Sequence, residues 1–288
     1  MTLFPHASLV IGLVLALATA AAFNWSWVAQ HTITSQLPRL EVRRPVWSLK
    51  LLFAHRRWLV AFLVGVAGWC FYVVALRLAP LSLVQSVSAG GLGLLGIFAQ
   101  RASGESLPRR EWVGIGMAIA GLLFLSISLA DASTHAKHGS WVALGTWFAL
   151  SGLGVLLFLG PVAPLLAPGA AWGISAGLMY AAGDVGTKAA VGGGLFLLVI
   201  LPVWACHGIA FTIIQLGFQR GRALATAGLS SFCTNALPIA GGILVYHEHV
   251  PGGALGVLRI LAFACIVLGA AAVARREQQI TEPAPVAA

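Results

Sequence analysis

Long apolar runs, separated by short polar connectors, dominate the pattern of this 288-residue chain. Nine runs approach or exceed the roughly 20 residues that a helix needs to cross a bilayer. They cover residues 8–30, 58–77, 81–100, 111–130, 140–160, 168–188, 193–218, 224–246 and 254–274. The pattern predicts an all-α, polytopic membrane protein with about nine transmembrane helices.

The segment 31–57 interrupts this pattern with a cluster of charges. Its charged residues are Arg39, Glu41, Arg43, Arg44, Lys50, Arg56 and Arg57. A tenth span here would hold several charges at membrane depth, each costing about 2.5–3.5 kcal/mol. We interpret the segment as a cytoplasmic linker, and whether it holds a short interfacial helix stays open at this point.

The composition excludes most soluble proteins. Hydrophobic residues make up 59% of the chain and charged residues 9%, against about 25% charged residues in an ordinary soluble domain. The four cysteines lie singly in apolar stretches, without the spacing of a metal or redox site. The sequence also lacks a GxSxG elbow, an HExxH motif and a P-loop. We therefore expect neither an enzyme nor a bound cofactor.

The positions of the 17 Lys and Arg residues predict the orientation. With the 31–57 linker inside, the inner loops hold thirteen of them, as the positive-inside rule requires. These are Arg39, Arg43, Arg44, Lys50, Arg56, Arg57, Arg101, Arg109, Arg110, Arg220, Arg222, Arg275 and Arg276. We predict an integral protein of the cell (inner or plasma) membrane, with its N-terminus outside and its C-terminus cytoplasmic. The net charge of +9 then reflects topology, so we expect no nucleic-acid partner.

An internal repeat divides the chain into a first half, 1–130, and a second half, 131–288. After Ala75 the chain contains, in order, a connector, a Gly/Ser-rich span, a turn with one acid and a final Gly/Ala-rich span. The same four features recur after Gly217, at an offset of 142 to 143 residues. The first span also resembles the sixth, with Gln30 and Lys188 ending comparable runs. The copies are displaced by five helices, an odd number, and must run in opposite senses. Inverted repeats are common in secondary transporters.

Several segments resemble the drug/metabolite transporter superfamily, in particular its EamA-type members. They are the run 75–84 (ALRLAPLSLV), the Gly104-Glu105 turn and the stretch 111–114 (EWVG) that leads to Gly121. The nine spans, the 186–189 segment (GTKA) and Gln215 with 223–224 are more similar to the NIPA-type magnesium transporter branch. The first copy departs from the usual five-helix repeat, because the basic linker replaces one helix.

Charged residues at membrane depth are the first candidates for function, because burying them in lipid is costly. Asp184 is the only carboxylate clearly inside a predicted span, and Lys188 lies four residues further on the same helix face. Arg259 enters the ninth span roughly 8 Å deep. We hypothesise that Asp184 and Arg259 line the outer side of a polar pathway, with Asp184 as a cation or proton site and the Arg259 guanidinium as its partner or an anion clamp. The alternative is that Asp184 pairs with Lys188 or Arg259 only to fix helix packing.

Uncharged polar residues would supply the rest of a cavity. The third and eighth spans are repeat partners, and both are interrupted by Gly or Pro, which points to a binding site. Their candidate wall residues are Gln85, Ser88, Ser230, Thr234 and Asn235. Asn24, His207 and Gln215 are further candidates, for which an interhelical hydrogen bond is the structural alternative.

The leading prediction is a secondary transporter that moves a small metabolite or drug-like solute by alternating access. A magnesium or other divalent-cation transporter is the first alternative, and a non-transporting membrane scaffold is the second. The expected partners are a small molecule or ion and the lipid bilayer, with the substrate, coupling ion, transport direction and oligomeric state open.

Overall fold

The computed structural model describes residues 5–41, 44–78, 91, 93–102, 107–128, 140–191, 194–247 and 252–274, and these segments are helices joined by short turns. The helices are α1 (Pro5–Thr34), α2 (Pro45–Ala54), α3 (Arg56–Leu78), α4 (residues 93–102), α5 (Arg109–Ser128), α6 (Trp141–Leu159), α7 (Ala170–Val191), α8 (Ile200–Phe218), α9 (Leu229–Tyr246) and α10 (Gly253–Ala274). Short 3₁₀ segments cover Ala163–Leu165 and Gly194–Val199, and a π-helical turn, Leu224–Gly228, leads into α9.

Every predicted span coincides with a helix, except that most of 81–100 lies outside the described residues. Within the described part, five segments are long and apolar enough to cross a membrane. These are Val10–Thr34, Trp141–Leu159, Leu197–Phe218, Leu224–Tyr246 and Gly253–Ala274, with a sixth if Val46–Ala54 and Arg56–Tyr72 form one broken span. The all-helical, multi-span architecture is confirmed, while the total of nine stays a prediction.

The basic linker contains a short helix, α2. It begins at Pro45, a residue suited to the first turn because its missing N–H needs no partner there. Ten residues rise only about 15 Å, too short to cross a bilayer. The chain bends by 93° between α2 and α3, so α2 runs across the direction of α3.

One end of the bundle, which we call the basic end, gathers the termini of several of the described helices. The Trp58 indole at the start of α3 donates to Gln215 near the end of α8. At the same end, the amide of Ala167, just before α7, donates to the carbonyl of Ala274, the last residue of α10. The ends of α1, α8 and α10 therefore meet the beginnings of α3, α5, α7 and α9, which gives the alternating directions that the sequence predicts.

Close helix contacts hold the bundle together where glycine lets backbones approach. The packing of α5 on α10 is the most extensive, followed by α1 on α3 and α7 on α8. A Cβ atom on Gly121 of α5 would come within 2.7 Å of the carbonyl oxygen of Ala262 on α10. A Cβ atom on Gly177 of α7 would likewise come within 2.7 Å of the carbonyl oxygen of Ser230 on α9. Small residues at such positions are how membrane helices pack closely.

Candidate functional site: a polar cavity between two helix pairs

A cavity of about 480 Å³ opens between α1, α3, α7, α8 and α9. Its walls combine one acid, one imidazole, several amide and hydroxyl groups, and five aromatic rings. The lining residues are Thr19, Ala20, Phe23, Asn24, Trp27, Trp69, Tyr72, Tyr180, Asp184, His207, Ser231, Thr234 and Asn235. Five sequence candidates, Asn24, Asp184, His207, Thr234 and Asn235, thus meet in one space.

Asp184 is paired across the helix interface with His207. The Asp184 Oδ1 to His207 Nε2 distance is 3.4 Å, and both side chains are partly accessible, at 41% and 35%. The His207 Nδ1 atom lies 3.0 Å from the carbonyl oxygen of Val203. Because both neighbours are acceptors, both ring nitrogens donate when the imidazole is protonated, and the pair is then neutral overall. When the imidazole is neutral, the pair carries the single negative charge of Asp184.

The uncharged polar side chains present acceptor oxygens to the cavity. The Asn24 amide nitrogen donates to the Ala20 carbonyl at 2.7 Å, and that of Asn235 donates to the Ser231 carbonyl at 2.8 Å. The Thr234 hydroxyl likewise donates to a backbone carbonyl of its own helix. In each of these bonds the side chain donates to its own helix, which leaves its amide or hydroxyl oxygen as an acceptor beside the Asp184 carboxylate. The cavity therefore suits a species that donates hydrogen bonds or carries positive charge.

A second, smaller cavity of about 190 Å³ lies next to the first. Phe23, Trp27, Trp69 and Tyr180 line both cavities. These four aromatic side chains therefore form the partition between the two spaces. We call this group the aromatic partition.

Beyond the aromatic partition, a buried amide network links α1, α3 and α8. The Gln215 amide nitrogen donates to Gln30 Oε1 at 2.7 Å, and Gln215 Oε1 accepts from the Trp58 indole and the Thr34 hydroxyl, both at 3.3 Å. Gln30 in turn donates to the Ser26 hydroxyl at 2.9 Å. Gln215 is 2% exposed. Gln215 therefore makes the interhelical hydrogen bond that was its structural alternative in the sequence analysis. Gln30 and Gln215 also line the smaller cavity.

The connector between α8 and α9 locks the basic end. His31 Nε2 on α1 lies 2.8 Å from the Gly221 carbonyl oxygen, and Arg222 forms a 2.8 Å ion pair with Glu111 on α5. The Arg220 guanidinium stacks over the Trp172 ring, 4.4 Å from its centroid. Burial lowers the pKa of Arg220, and the nearby charge of Arg39 adds to this effect. These contacts close the bundle on the side away from the larger cavity.

The other sequence candidates lie elsewhere. Arg259 is buried on α10 and donates to the Ser128 carbonyl oxygen on α5 at 2.9 Å, so the structure does not bring it to Asp184. Lys188 sits 4.9 Å from the centroid of the Tyr246 ring rather than against Asp184. Ser230 is fully buried behind the cavity wall. Gln85 and Ser88 lie outside the described residues.

The sequence reasoning did not single out some residues that the structure places at the site. Tyr72 and Tyr180 line the larger cavity, although single aromatics in apolar spans carry no pattern that separates cavity from core. Gln30 was noted only as a repeat marker, but it bonds directly to Gln215. The matching of Gln30 with Lys188 was the one signal that this position is polar in both halves.

The fold and the cavity define an integral membrane protein built from several apolar helices. Its sequence is 25% identical over 279 residues to the probable magnesium transporter NIPA9 of Arabidopsis thaliana, an alignment that covers 88% of this chain and 79% of the relative. No family model matches the chain, and no solved structure matches it. The similarity is to a transporter, in agreement with the expectation that the protein is not an enzyme.

Proposed function

We propose that this protein carries magnesium ions across a membrane and that the 480 Å³ cavity around Asp184 is its ion-binding site. The observation that carries the proposal is the lining itself: the Asp184 carboxylate shares the cavity with the side-chain oxygens of Asn24, Thr234 and Asn235. The similarity to a relative described as a magnesium transporter supports it. This ranks the cation alternative above the metabolite reading that the sequence alone favoured.

The site fits a hydrated ion better than a dehydrated one. Among the described residues, no three His, Cys, Asp or Glu side chains lie close enough together to hold a metal directly. Mg²⁺ is octahedral, dehydrates reluctantly and usually keeps several waters. Six waters occupy about 180 Å³ at the volume of liquid water, well within the cavity. The waters of such an ion would donate to the oxygens of Asn24, Thr234 and Asn235, while Asp184 supplies the charge.

The arrangement of helices supports alternating access between two inverted halves. The pair α1/α3 in the first half corresponds to α7/α8 in the second. Ser26 precedes Gln30 by four residues, just as Asp184 precedes Lys188, so Ser26 corresponds to Asp184 in this comparison. A Cβ atom added to Gly65 of α3 would lie 2.7 Å from Ser26 Oγ. His207, the neighbour of Asp184, follows Gly65 by the repeat offset of 142 residues. We propose that the basic end is the cytoplasmic side and that this conformation is closed there.

The five aromatic side chains around the cavity favour one second candidate, a small organic cation. Aromatic faces attract cations, and the attraction strengthens when water is excluded. Trp27, Trp69 and Tyr180 could enclose an ammonium group beside Asp184. A non-transporting scaffold requires no polar cavity, so the cavity around Asp184 favours transport over that alternative.

The decisive experiment is uptake by the purified chain in liposomes that enclose a magnesium-sensitive dye, with a membrane potential applied. The Asp184→Asn variant keeps the shape of the side chain and removes its charge. The matched control is Glu41→Gln, since Glu41 is exposed in the linker and pairs with the exposed Arg44 at 3.7 Å. We expect Mg²⁺ uptake by the wild type, a loss of at least tenfold in Asp184→Asn, and a change within twofold in Glu41→Gln.

Equal Mg²⁺ uptake by Asp184→Asn and the wild type would remove Asp184 from the mechanism. A panel of organic cations and neutral metabolites, run in parallel, separates the two candidate functions. Uptake of an organic cation without any Mg²⁺ uptake would reverse their order.

A further inference from the structure

Two grooves outside the transport cavity combine exposed basic and apolar side chains. The first groove, of about 380 Å³, lies between α1 and α3 and is lined by Trp25, Ala29, Ile33, Arg56, Arg57 and Val60. The second, of about 460 Å³, lies along α2 and is lined by Arg44, Val46, Trp47 and Lys50. Both contain a half-exposed tryptophan, at 43% for Trp25 and 44% for Trp47.

The cations of the first groove have no acidic partner in the part of the chain that the structure describes. Among the described residues, no carboxylate forms an ion pair with Arg56 or Arg57, whereas Arg44 in the second groove pairs with Glu41. Both arginines are exposed at the start of α3, directly above the apolar wall formed by Ile33 and Val60. A guanidinium at a membrane interface is stabilised by a phosphate, which it binds in a fork geometry.

We propose that the groove between α1 and α3 binds one anionic phospholipid. Its phosphate lies against Arg56 and Arg57, and one acyl chain lies along Ala29, Ile33 and Val60. Charge complementarity decides the class of ligand, because two cations without an ion pair to any described carboxylate border a surface that is otherwise apolar.

The bend between α2 and α3 supports this position. With α3 crossing the membrane, the 93° bend lays α2 along the membrane surface. Its exposed Val46, at 65%, and Trp47 then face the same interfacial layer as Arg56. The bound lipid would therefore lie at the corner where the chain enters the bilayer, independently of what the cavity transports.

The test is native mass spectrometry of the purified full-length chain in detergent, titrated with phosphatidylglycerol or phosphatidylcholine. Each basic residue near an anionic surface contributes roughly a fivefold change in binding. We expect the Arg56→Gln/Arg57→Gln variant to bind the first phosphatidylglycerol about 30-fold more weakly. The control Arg101→Gln removes an exposed arginine that lines neither groove and should change binding less than twofold.

A second variant, Ala29→Phe, fills the apolar part of the groove and leaves both guanidinium groups in place. It should also weaken phosphatidylglycerol binding, and it decides the question if the double variant does not fold. The proposal is overturned if phosphatidylcholine binds as tightly as phosphatidylglycerol, if Arg101→Gln weakens binding as much as the double variant, or if Ala29→Phe has no effect.

Discussion

Replacing Gln215 with leucine is expected to destabilise the protein, because its side chain joins three helices through one amide. The substitution removes the acceptor of the Trp58 indole and the donor to Gln30 Oε1, both in a buried setting. The Thr34 hydroxyl can turn to a carbonyl of its own helix and loses little. Two buried polar atoms are therefore left without partners.

The expected loss of unfolding free energy follows from these two groups. An orphaned buried group costs about 1–3 kcal/mol, while single interhelical hydrogen bonds in membranes average about 0.6 kcal/mol. Because Trp58 is fully buried, we place the cost of Gln215→Leu at about 2–4 kcal/mol. Gln30→Leu alone should cost less, since it orphans only the Gln215 amide nitrogen and the Ser26 hydroxyl can bond elsewhere.

The assay is reversible unfolding in mixed detergent micelles, followed by circular dichroism, for both single variants and the double variant. The losses of unfolding free energy caused by substitutions at distant sites add to within about 0.3–0.5 kcal/mol. For these two neighbouring sites we expect the loss in the double variant to be smaller than the sum of the two single losses by about 1–2 kcal/mol. A wild-type-like Gln215→Leu, or strictly additive effects of Gln30→Leu and Gln215→Leu, would refute the network.

Three further predictions concern other contacts. Glu111→Gln should lower the unfolding free energy by about 1–2 kcal/mol, less than the loss of a fully buried ion pair, because Arg222 is a third exposed. The same unfolding assay measures this change, and an unchanged stability would show that the pair contributes nothing. Gly121→Ala should lower the unfolding free energy by about 1–3 kcal/mol, because the added methyl group would press on the α10 backbone. Gly145 has open space around it, so Gly145→Ala should be neutral or slightly stabilising. Equal effects of the two substitutions would contradict the packing of α5 on α10. Mg²⁺ at 100 times its Kd should stabilise the wild type by about 2.7 kcal/mol and Asp184→Asn much less, as a thermal-shift titration would show; equal stabilisation would place the ion elsewhere.

The positions of most helices could be predicted because a span has one dominant requirement, about 20 consecutive apolar residues. This requirement located α6 and α10 to within one residue at each end. It could not reveal α2, because the Arg and Lys residues around it break the apolar run. Whether a ten-residue segment becomes a helix depends on its first-turn proline and its packing on α3.

The partners within the site were harder to predict, because periodicity relates residues on one helix and says little about neighbouring helices. The i,i+4 spacing suggested Lys188 as a partner of Asp184, but the structure places His207 of the adjacent helix there. The pairing of Gln30 with Gln215 joins residues 185 positions apart. No local pattern encodes such a pair without knowledge of which helices touch.

The Gln219 side chain completes the end of α1, with consequences for the order of assembly. Its amide nitrogen donates to the carbonyl oxygens of Thr34, Leu37 and Pro38, and its oxygen accepts from the amide of Leu40. Gln219 lies 185 residues after Thr34, which takes roughly 10–40 s to synthesise at 5–20 residues per second. The end of α1 therefore has to wait, bonded to water or headgroups, until α8 has left the ribosome. Truncated chains that stop before α8 should leave this segment open to protease attack during biogenesis.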